Sequence, residues 1–155
     1  MGDEQMKTDV KAYDLLRDSV ARKSELEWLS NVETMAWLDL EDGRELKSGI
    51  SVIILAYKSR DTILATLSSL GEQTLAARMF EVIIVFNGDD DGSQDLVEVF
   101  ITQNPRLDIR YYNSGFPSAG RARNMGLKLV TREYVTFVDA DDEVSPLFLE
   151  SLFAN

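Results

Sequence analysis

An acidic cluster, Asp139, Asp141, Asp142 and Glu143, is the feature of this sequence with the most evident chemistry. Four carboxylates within five residues repel one another, so water or a cation must hold them together. Clustered carboxylate oxygens favour a hard divalent ion such as Mg²⁺ or Mn²⁺, which also bridges phosphate oxygens. The alternative interpretation, from spacing alone, is a solvated turn before a helix that begins near Pro146.

The composition limits what other chemistry the chain can perform. The 155 residues include no Cys and no His, which excludes disulfides, thiolate nucleophiles and imidazole acids or bases. The 27 acidic and 16 basic residues give a net charge of −11, and this argues against nucleic-acid binding, which depends on cationic neutralisation of phosphates. An anionic ligand therefore needs a local basic group or a metal ion. With no long apolar run and no signal-peptide pattern, we expect a cytoplasmic protein, with the cytosolic face of a membrane as the alternative.

Strand and helix patterns alternate after residue 49 and predict where the acidic cluster lies. Apolar runs predict strands at 50–55, 80–86, 107–112 and 134–138, and helical periodicity predicts helices at 60–70, 94–103 and 122–130, with a fourth beginning at Ser145-Pro146. The alternation predicts an α/β fold with a mostly parallel sheet and flanking helices. In such sheets ligands bind beyond the carboxyl ends of the strands. We therefore expect residues 56–58, 87–89 and 139–142 to meet at one edge.

Residues 1–49 differ in pattern and predict an amphipathic helical extension and a linker. From Asp9 to Leu40 apolar residues recur at three- and four-residue steps, which is the helical period. The polar, glycine-containing stretch 41–49 is typical of a linker to residues 50–155. We expect the extension to pack on the α/β domain or on a second copy. Adsorption to a membrane is the alternative, which the excess of 12 acidic over 7 basic residues disfavours for anionic lipid.

Three segments, in order, resemble the family 2 glycosyltransferases, which have the GT-A fold. The family's first strand and helix resemble SVIILAYKSRDTILATLSSLGEQT, and its second strand and acidic turn resemble EVIIVFNGDDDGSQD. The glycine-rich loop, the following helix and the strand that ends in the metal-binding Asp-x-Asp are similar to NSGFPSAGRARNMGLKLVTREYVTFVDADD. The resemblance covers residues 50–155 and implies the nucleotide-sugar-binding half of a GT-A domain, with a Rossmann-like sheet.

The resemblance implies roles for five residues in binding a nucleotide sugar and a metal. Tyr57 would lie against the nucleotide base, and Asn87 takes the position of an Asp that hydrogen-bonds the base edge. Arg123 would neutralise the diphosphate or brace the nucleotide site. Asp139 would face the ribose or the water shell of the metal, and Asp141 would coordinate the metal. The alternatives for the first three are a core tyrosine, a turn asparagine and an ordinary surface arginine.

Other residues near the expected site either match the family pattern or depart from it. Asp142 is a reserve ligand or a structural acid, while Asn124 and Gly126 would fix the start of their helix and its close approach to the sheet. Leu55 replaces the Pro or Thr that is usual in the family, and Lys58 replaces the usual Asn. Lys58 could reach a phosphate, although an exposed lysine whose stem covers apolar surface is the simpler interpretation.

The activity that the resemblance implies is transfer of a sugar from a nucleotide-diphosphate sugar to an acceptor hydroxyl, in glycan or polysaccharide synthesis. Bound Mn²⁺ or Mg²⁺ would stabilise the departing nucleoside diphosphate. The catalytic base is unknown, and we expect it beyond residue 155, because in the family it lies well downstream of Asp-x-Asp. We thus expect a chain truncated before the acceptor half, weakly active or inactive alone. Self-association is expected through the N-terminal helices or through exposed Leu147, Phe148, Leu152 and Phe153.

Two functions from other classes compete with glycosyl transfer. A non-catalytic nucleotide-binding or assembly module agrees with a missing acceptor half. A dinucleotide-dependent oxidoreductase is disfavoured, because the first strand leads into Ala56-Tyr57-Lys58-Ser59 and not into a Gly-x-Gly-x-x-Gly turn. Incubation with labelled nucleotide sugars, scoring donor hydrolysis as well as transfer, separates an enzyme from a module.

Overall fold

The computed structural model describes residues 45–115 and 117–154, which form a sheet with helices on both faces. In chain order the elements are β1 (Lys47–Ala56), α1 (Ile63–Gly71), a 3₁₀ turn (Ala77–Met79), β2 (Phe80–Phe86), α2 (Ser93–Gln103), β3 (Ile109–Asn113), α3 (Ala119–Leu129), β4 (Arg132–Asp139) and α4 (Phe148–Ala154). The predicted extension at residues 9–40 lies outside the described residues.

The sheet has the order β3-β2-β1-β4, and all neighbouring strands are parallel. The two central strands, β1 and β2, have the continuous apolar runs expected where both faces of a strand are covered. Every residue of β2 is buried, as are all but three residues of β1. The predicted α/β class with a parallel sheet is therefore confirmed.

Successive residues of β1 point to opposite faces and belong to two separate apolar clusters. Ile54 packs on the face that carries α1, α2 and α4, together with Ile63, Leu67, Val97 and Leu149. Ile53 packs on the opposite face with α3, together with Ala122, Leu127 and Val130. The helices thus shield the apolar strands on both faces of the sheet.

Helix α3 lies very close to β1, and Gly126 makes this approach possible. A Cβ atom at this position would lie 2.7 Å from Cγ2 of Ile53, which is shorter than any ordinary carbon contact. The position therefore requires a residue without a side chain, which agrees with the close approach expected for Gly126.

Several elements begin at residues other than those predicted, and local hydrogen bonds explain the differences. β1 begins at Lys47, three residues before the predicted start, because the Lys47 N–H donates to the Thr131 carbonyl over 2.9 Å. Helix α1 begins at Ile63 and not at residue 60, since a turn precedes it in which the N–H groups of Thr62 and Ile63 both donate to the Ser59 carbonyl.

The last two helices also begin at residues other than those predicted from the sequence. Helix α3 begins at Ala119, within the predicted loop, because the Ser118 hydroxyl accepts a hydrogen bond from the Arg121 N–H and caps the helix. Helix α4 begins at Phe148, after a turn closed by a 3.0 Å hydrogen bond from its N–H to the Ser145 carbonyl. The prediction of a helix in this region was right, but its start was two residues early.

The apolar residues at the end of the chain are less exposed than we expected. Leu147 is 56% exposed, whereas Phe148, Leu152 and Phe153 are partly buried against the main cluster. Phe153 also packs edge-on against the ring of Tyr134. Exposure of all four residues was therefore a wrong expectation, because α4 turns three of them towards the sheet. None of the helices within the described ranges is long and apolar enough to span a membrane.

Candidate functional site

A cleft of about 340 Å³ opens where β1 and β4 end. The two strands end at the same level, because Leu55 of β1 is in register with Asp139 of β4. The residues that line the cleft come from these two strand ends and the loops that follow: Leu55, Tyr57, Lys58, Ser59, Thr62, Asp139, Ala140 and Asp141. The convergence of the β1 and β4 ends is the arrangement expected for a ligand site in a parallel sheet.

Three carboxylates form a compact group at one side of this cleft. Asp139, Asp141 and Asp142 each offer an oxygen that lies within 4.8 Å of the others, and all three residues are exposed. A turn brings them together, with a 3.0 Å hydrogen bond from the Asp142 N–H to the Asp139 carbonyl. Among the described residues, no Lys or Arg forms an ion pair with this cluster. Carboxylate oxygens that are not paired with a basic side chain suit a hard divalent ion.

Side chains of α1 hold the acidic turn in place, a role that the sequence analysis missed. The Thr66 hydroxyl donates to the Ala140 carbonyl over 3.0 Å, and the Ser69 hydroxyl accepts from the Val144 N–H over 3.1 Å. The first bond anchors the chain within the acidic cluster and the second anchors it just after Glu143, so residues 140–144 are tied to α1. Polar residues three apart within an otherwise apolar helix were the available signal.

Gln73, at the end of α1, fixes the segment that leads from the acidic turn to α4. Its Nε2 donates to the Ser145 carbonyl over 2.7 Å, and its Oε1 accepts from the Leu149 N–H over 2.9 Å. The next residue, Thr74, donates through its N–H to the Pro146 carbonyl over 2.9 Å. These bonds give a structural role to Gln73 and Thr74, which end the first segment that resembles the family.

Tyr57 is 55% exposed and lines the cleft. The alternative of a core tyrosine is therefore wrong. A Cβ atom at Gly88, after β2, would lie 3.1 Å from Cε2 of the Tyr57 ring, which shows that the loop after β2 packs against this ring. The Nζ atom of Lys58 lies 5.3 Å from the ring centroid. The exposed ring offers a flat surface on which a base can stack.

Asn87 follows β2 and is linked directly to the end of β1. Its N–H donates to the Ala56 carbonyl over 2.8 Å, so the side chain begins close to Tyr57. The Oδ1 atom is buried and has no hydrogen-bond partner among the described residues. An unpaired buried amide oxygen is costly, and a donor group of a ligand could satisfy it. Asn87 is not among the residues that line this cleft.

The structure places Arg123 in α3, away from the residues that line the cleft. Its guanidinium carbon lies 5.2 Å from the ring centroid of Phe137 on β4, and its buried Nε has no hydrogen-bond partner among the described residues. Phe137 and Asp139 are two residues apart on β4 and so point to the same face of the sheet. Arg123 therefore lies on the face of Asp139 but further from the strand ends.

A second acidic turn, after β2, is tied into the fold by its own hydrogen bonds. Asp91 accepts from the Ser93 hydroxyl, from the Ser93 N–H over 3.1 Å and from the Arg60 N–H over 3.1 Å. Burial raises the pKa of Asp91, but these hydrogen bonds outweigh it and lower the pKa below its usual value. This acid is thus used to join the loop after β1 to the start of α2.

Comparison with known proteins identifies the family to which the chain is similar. The profile of the family described as "Glycosyl transferase family 2" matches residues 51–155. The uncharacterized glycosyltransferase YibD of Escherichia coli (strain K12) is 37% identical over 103 residues, which are 66% of this chain and 29% of YibD.

Solved structures also resemble the chain. The crystal structure of S. aureus TarS 1-349 in complex with UDP-GlcNAc superposes with a TM-score of 0.59 at 32% identity and covers 68% of this chain and 30% of that chain. The mannosyltransferase PcManGT from Pyrobaculum calidifontis, in complex with GDP-Man and Mn²⁺, has a TM-score of 0.63 at 17% identity and covers 92% of this chain and 43% of that chain. The second likeness shows the fold alone. The matched part spans less than a third of YibD, at 29%, and of TarS, at 30%.

Proposed function

Because the chain belongs to glycosyl transferase family 2 and has a GT-A-like fold, we propose that residues 50–155 bind the nucleotide-diphosphate sugar of a glycosyl transfer reaction. The observation that carries this proposal is that Asp139 and Asp141, two members of the carboxylate cluster, line the same cleft as the exposed ring of Tyr57. An aromatic surface for a base and an oxygen cluster for a cation are the two parts that a nucleoside diphosphate requires.

The carboxylate cluster fits a divalent cation, which we propose to be Mn²⁺ or Mg²⁺. Its three oxygens lie within 4.8 Å of one another and are exposed, so a hard ion can use them and keep water ligands. Asp141 and Asp139 are the proposed metal ligands, with Asp142 as a further oxygen donor. Such an ion, when bound, stabilises negative charge on phosphate oxygens.

The remaining proposed contacts follow from the side chains around the cleft. Tyr57 stacks on the base, because its ring is exposed at the cleft. Asn87 hydrogen-bonds the base edge through its buried Oδ1 atom, which has no partner among the described residues. Asp139 lies at the strand end, where it faces either the ribose or the water ligands of the metal. Arg123 braces the α3 face behind Asp139 through its contact with Phe137.

The reaction we propose for the whole protein is transfer of the sugar to an acceptor hydroxyl of a glycan. One relative of known structure is named poly(ribitol-phosphate) beta-N-acetylglucosaminyltransferase TarS, from Staphylococcus aureus. We propose that parts of the protein outside residues 50–155 bind the acceptor and supply the catalytic base. The 155-residue chain alone is then expected to bind the donor and to transfer little or no sugar.

Calorimetric titration of the 155-residue chain with UDP and with GDP, each with and without Mn²⁺, tests donor binding. We expect one of the two nucleotides to bind in a Mn²⁺-dependent way and Asp141→Asn to weaken that binding at least tenfold. The matched control is Glu133→Gln, which removes an exposed carboxylate at the other end of the same strand. Absence of binding by the unmodified chain, or equal binding by the Asp141→Asn variant, would refute the proposal.

Activity is tested separately with labelled nucleotide sugars. Donor hydrolysis or transfer above the level of the Asp141→Asn variant would show that the chain retains catalysis. Nucleotide binding without either reaction would instead support the alternative of a non-catalytic nucleotide-binding module.

A further inference from the structure

Lys58 has a backbone conformation that lysine rarely adopts. Its φ of +47° lies in the left-handed region, and no other described residue except glycines has a positive φ. This conformation is unfavourable for an L-residue with a side chain, and Asn or Gly tolerates it better. Such strain persists where the surrounding structure holds it, and it concentrates at ligand sites. Lys58 therefore stands at the end of β1 in a fixed backbone geometry.

The Lys58 side chain is the only basic one among the described residues that line the cleft. Its Nζ lies 5.3 Å from the centroid of the Tyr57 ring, and within the described part of the chain it forms no ion pair with a carboxylate. A cation–π contact at an exposed site is weaker than a hydrogen bond to a charged group. An anion in the cleft would therefore compete effectively for the ammonium group.

Ser59 provides a second polar group at the same place. The residue is 5% exposed and lines the cleft, and its Oγ is buried without a hydrogen-bond partner among the described residues. Its carbonyl is already used, because it accepts from the N–H groups of Thr62 and Ile63 at the start of α1. A buried hydroxyl that lacks a partner costs free energy. A ligand oxygen at this position would recover that free energy.

We propose that Lys58 and Ser59 form an anion subsite that binds the phosphate groups of the donor from the β1 side of the cleft. The acidic cluster with its metal would then hold the same diphosphate from the β4 side. This inference rests on the proposed function, since it requires that a nucleoside diphosphate enters the cleft. It also gives a reason for a lysine where the resemblance leads one to expect Asn: in a chain with a net charge of −11, a local cation offsets the repulsion of an anionic ligand.

The test compares ligands that differ only in phosphate, namely uridine, UMP and UDP, each titrated in the presence of Mn²⁺; the guanosine series replaces them if GDP is the nucleotide that binds. Lys58→Asn removes the charge but keeps a residue that tolerates the left-handed backbone. We expect it to raise the Kd of the diphosphate about tenfold, as for loss of one charge-assisted contact, and to leave the Kd of the nucleoside unchanged. Ser59→Ala is expected to raise the Kd of the diphosphate about threefold.

Lys47→Asn is the matched control, because it removes an exposed lysine at the amino end of the same strand. Lys58→Gly, which also tolerates a positive φ, is the second variant, and circular dichroism verifies that each variant folds. Unchanged binding of the diphosphate by both Lys58 variants would overturn the subsite while leaving the proposed function intact. Equal loss for nucleoside and diphosphate would also overturn it, by showing that Lys58 acts through the Tyr57 ring. Failure of the unmodified chain to bind any nucleotide would refute both proposals.

Discussion

The two ends of the sheet use carboxylates in opposite ways. Near the amino ends of the strands, Glu81 of β2 is 1% exposed and accepts hydrogen bonds from the hydroxyls of Ser51 at 2.6 Å and Thr131 at 2.9 Å, from the Thr131 N–H at 2.7 Å and from Arg110 Nη2 at 2.5 Å. At the carboxyl ends, the cluster that includes Asp141 is exposed and has no basic partner among the described residues.

This difference separates a structural acid from acids that can act on a ligand. The partners of Glu81 come from β1, β3 and the residue before β4, so its charge joins three strands. A buried carboxylate is tolerated only with such a complete set of partners. The cluster at the other end has exposed oxygens and mutual repulsion, and a cation from outside is the partner that would relieve it. Binding of a cation would therefore gain the free energy of relieving this repulsion.

The largest expected effect on stability follows from removal of the buried carboxylate. Glu81→Ala should lower the free energy of unfolding by about 3–5 kcal/mol, because it removes the carboxylate that pairs with Arg110 and accepts from Thr131, and opens a cavity. Urea denaturation of the 155-residue chain, followed by circular dichroism, measures this loss. Glu133→Ala on the exposed side of β4 is the control, with an expected change below about 0.5 kcal/mol. A loss below about 1 kcal/mol for Glu81→Ala would show that the network contributes little.

The strands and the acidic edge could be predicted because both depend on local sequence. Continuous apolar runs specify buried parallel strands, and the residues that follow such strands must emerge at one edge. The Glu81 network could not be predicted in this way, since its partners lie 29, 30 and 50 residues away along the chain. Arg123 shows the same limit, because its contact with Phe137 depends on how α3 is rotated on the sheet.

An intermediate effect on stability is expected when a metal ion binds to the acidic cluster. Addition of Mn²⁺ at 100 times its Kd should raise the free energy of unfolding by about 2.7 kcal/mol, because the ion binds only the folded cluster. Asp139→Asn and Asp141→Asn should abolish most of this gain. In the absence of metal the same variants should be unchanged or more stable by up to about 0.5 kcal/mol, since each relieves repulsion between exposed carboxylates.

Thermal denaturation with and without Mn²⁺ measures both effects on the same samples. Destabilisation of the metal-free chain by Asp141→Asn would contradict the comparison, because it would make this acid structural, as Glu81 is. An equal Mn²⁺ effect in both variants and in the unmodified chain would place the metal elsewhere.

The smallest expected effect concerns Asp91, an acid that lies near the carboxyl edge but is satisfied internally, as Glu81 is. Its hydrogen bonds with Ser93 and Arg60 lower its pKa below the usual 3.8, despite the opposing effect of burial. Because the folded-state pKa is below the unfolded-state value, this stabilisation is complete above about pH 4 and disappears as the pH falls through the lowered pKa.

Asp91→Asn should thus destabilise the chain at pH 7 by less than about 1 kcal/mol, since the group is largely solvated. Urea denaturation of both chains from pH 7 to pH 3 measures the difference, which should shrink towards pH 3; a difference that stays constant would mean that the carboxylate charge has no part in holding the turn.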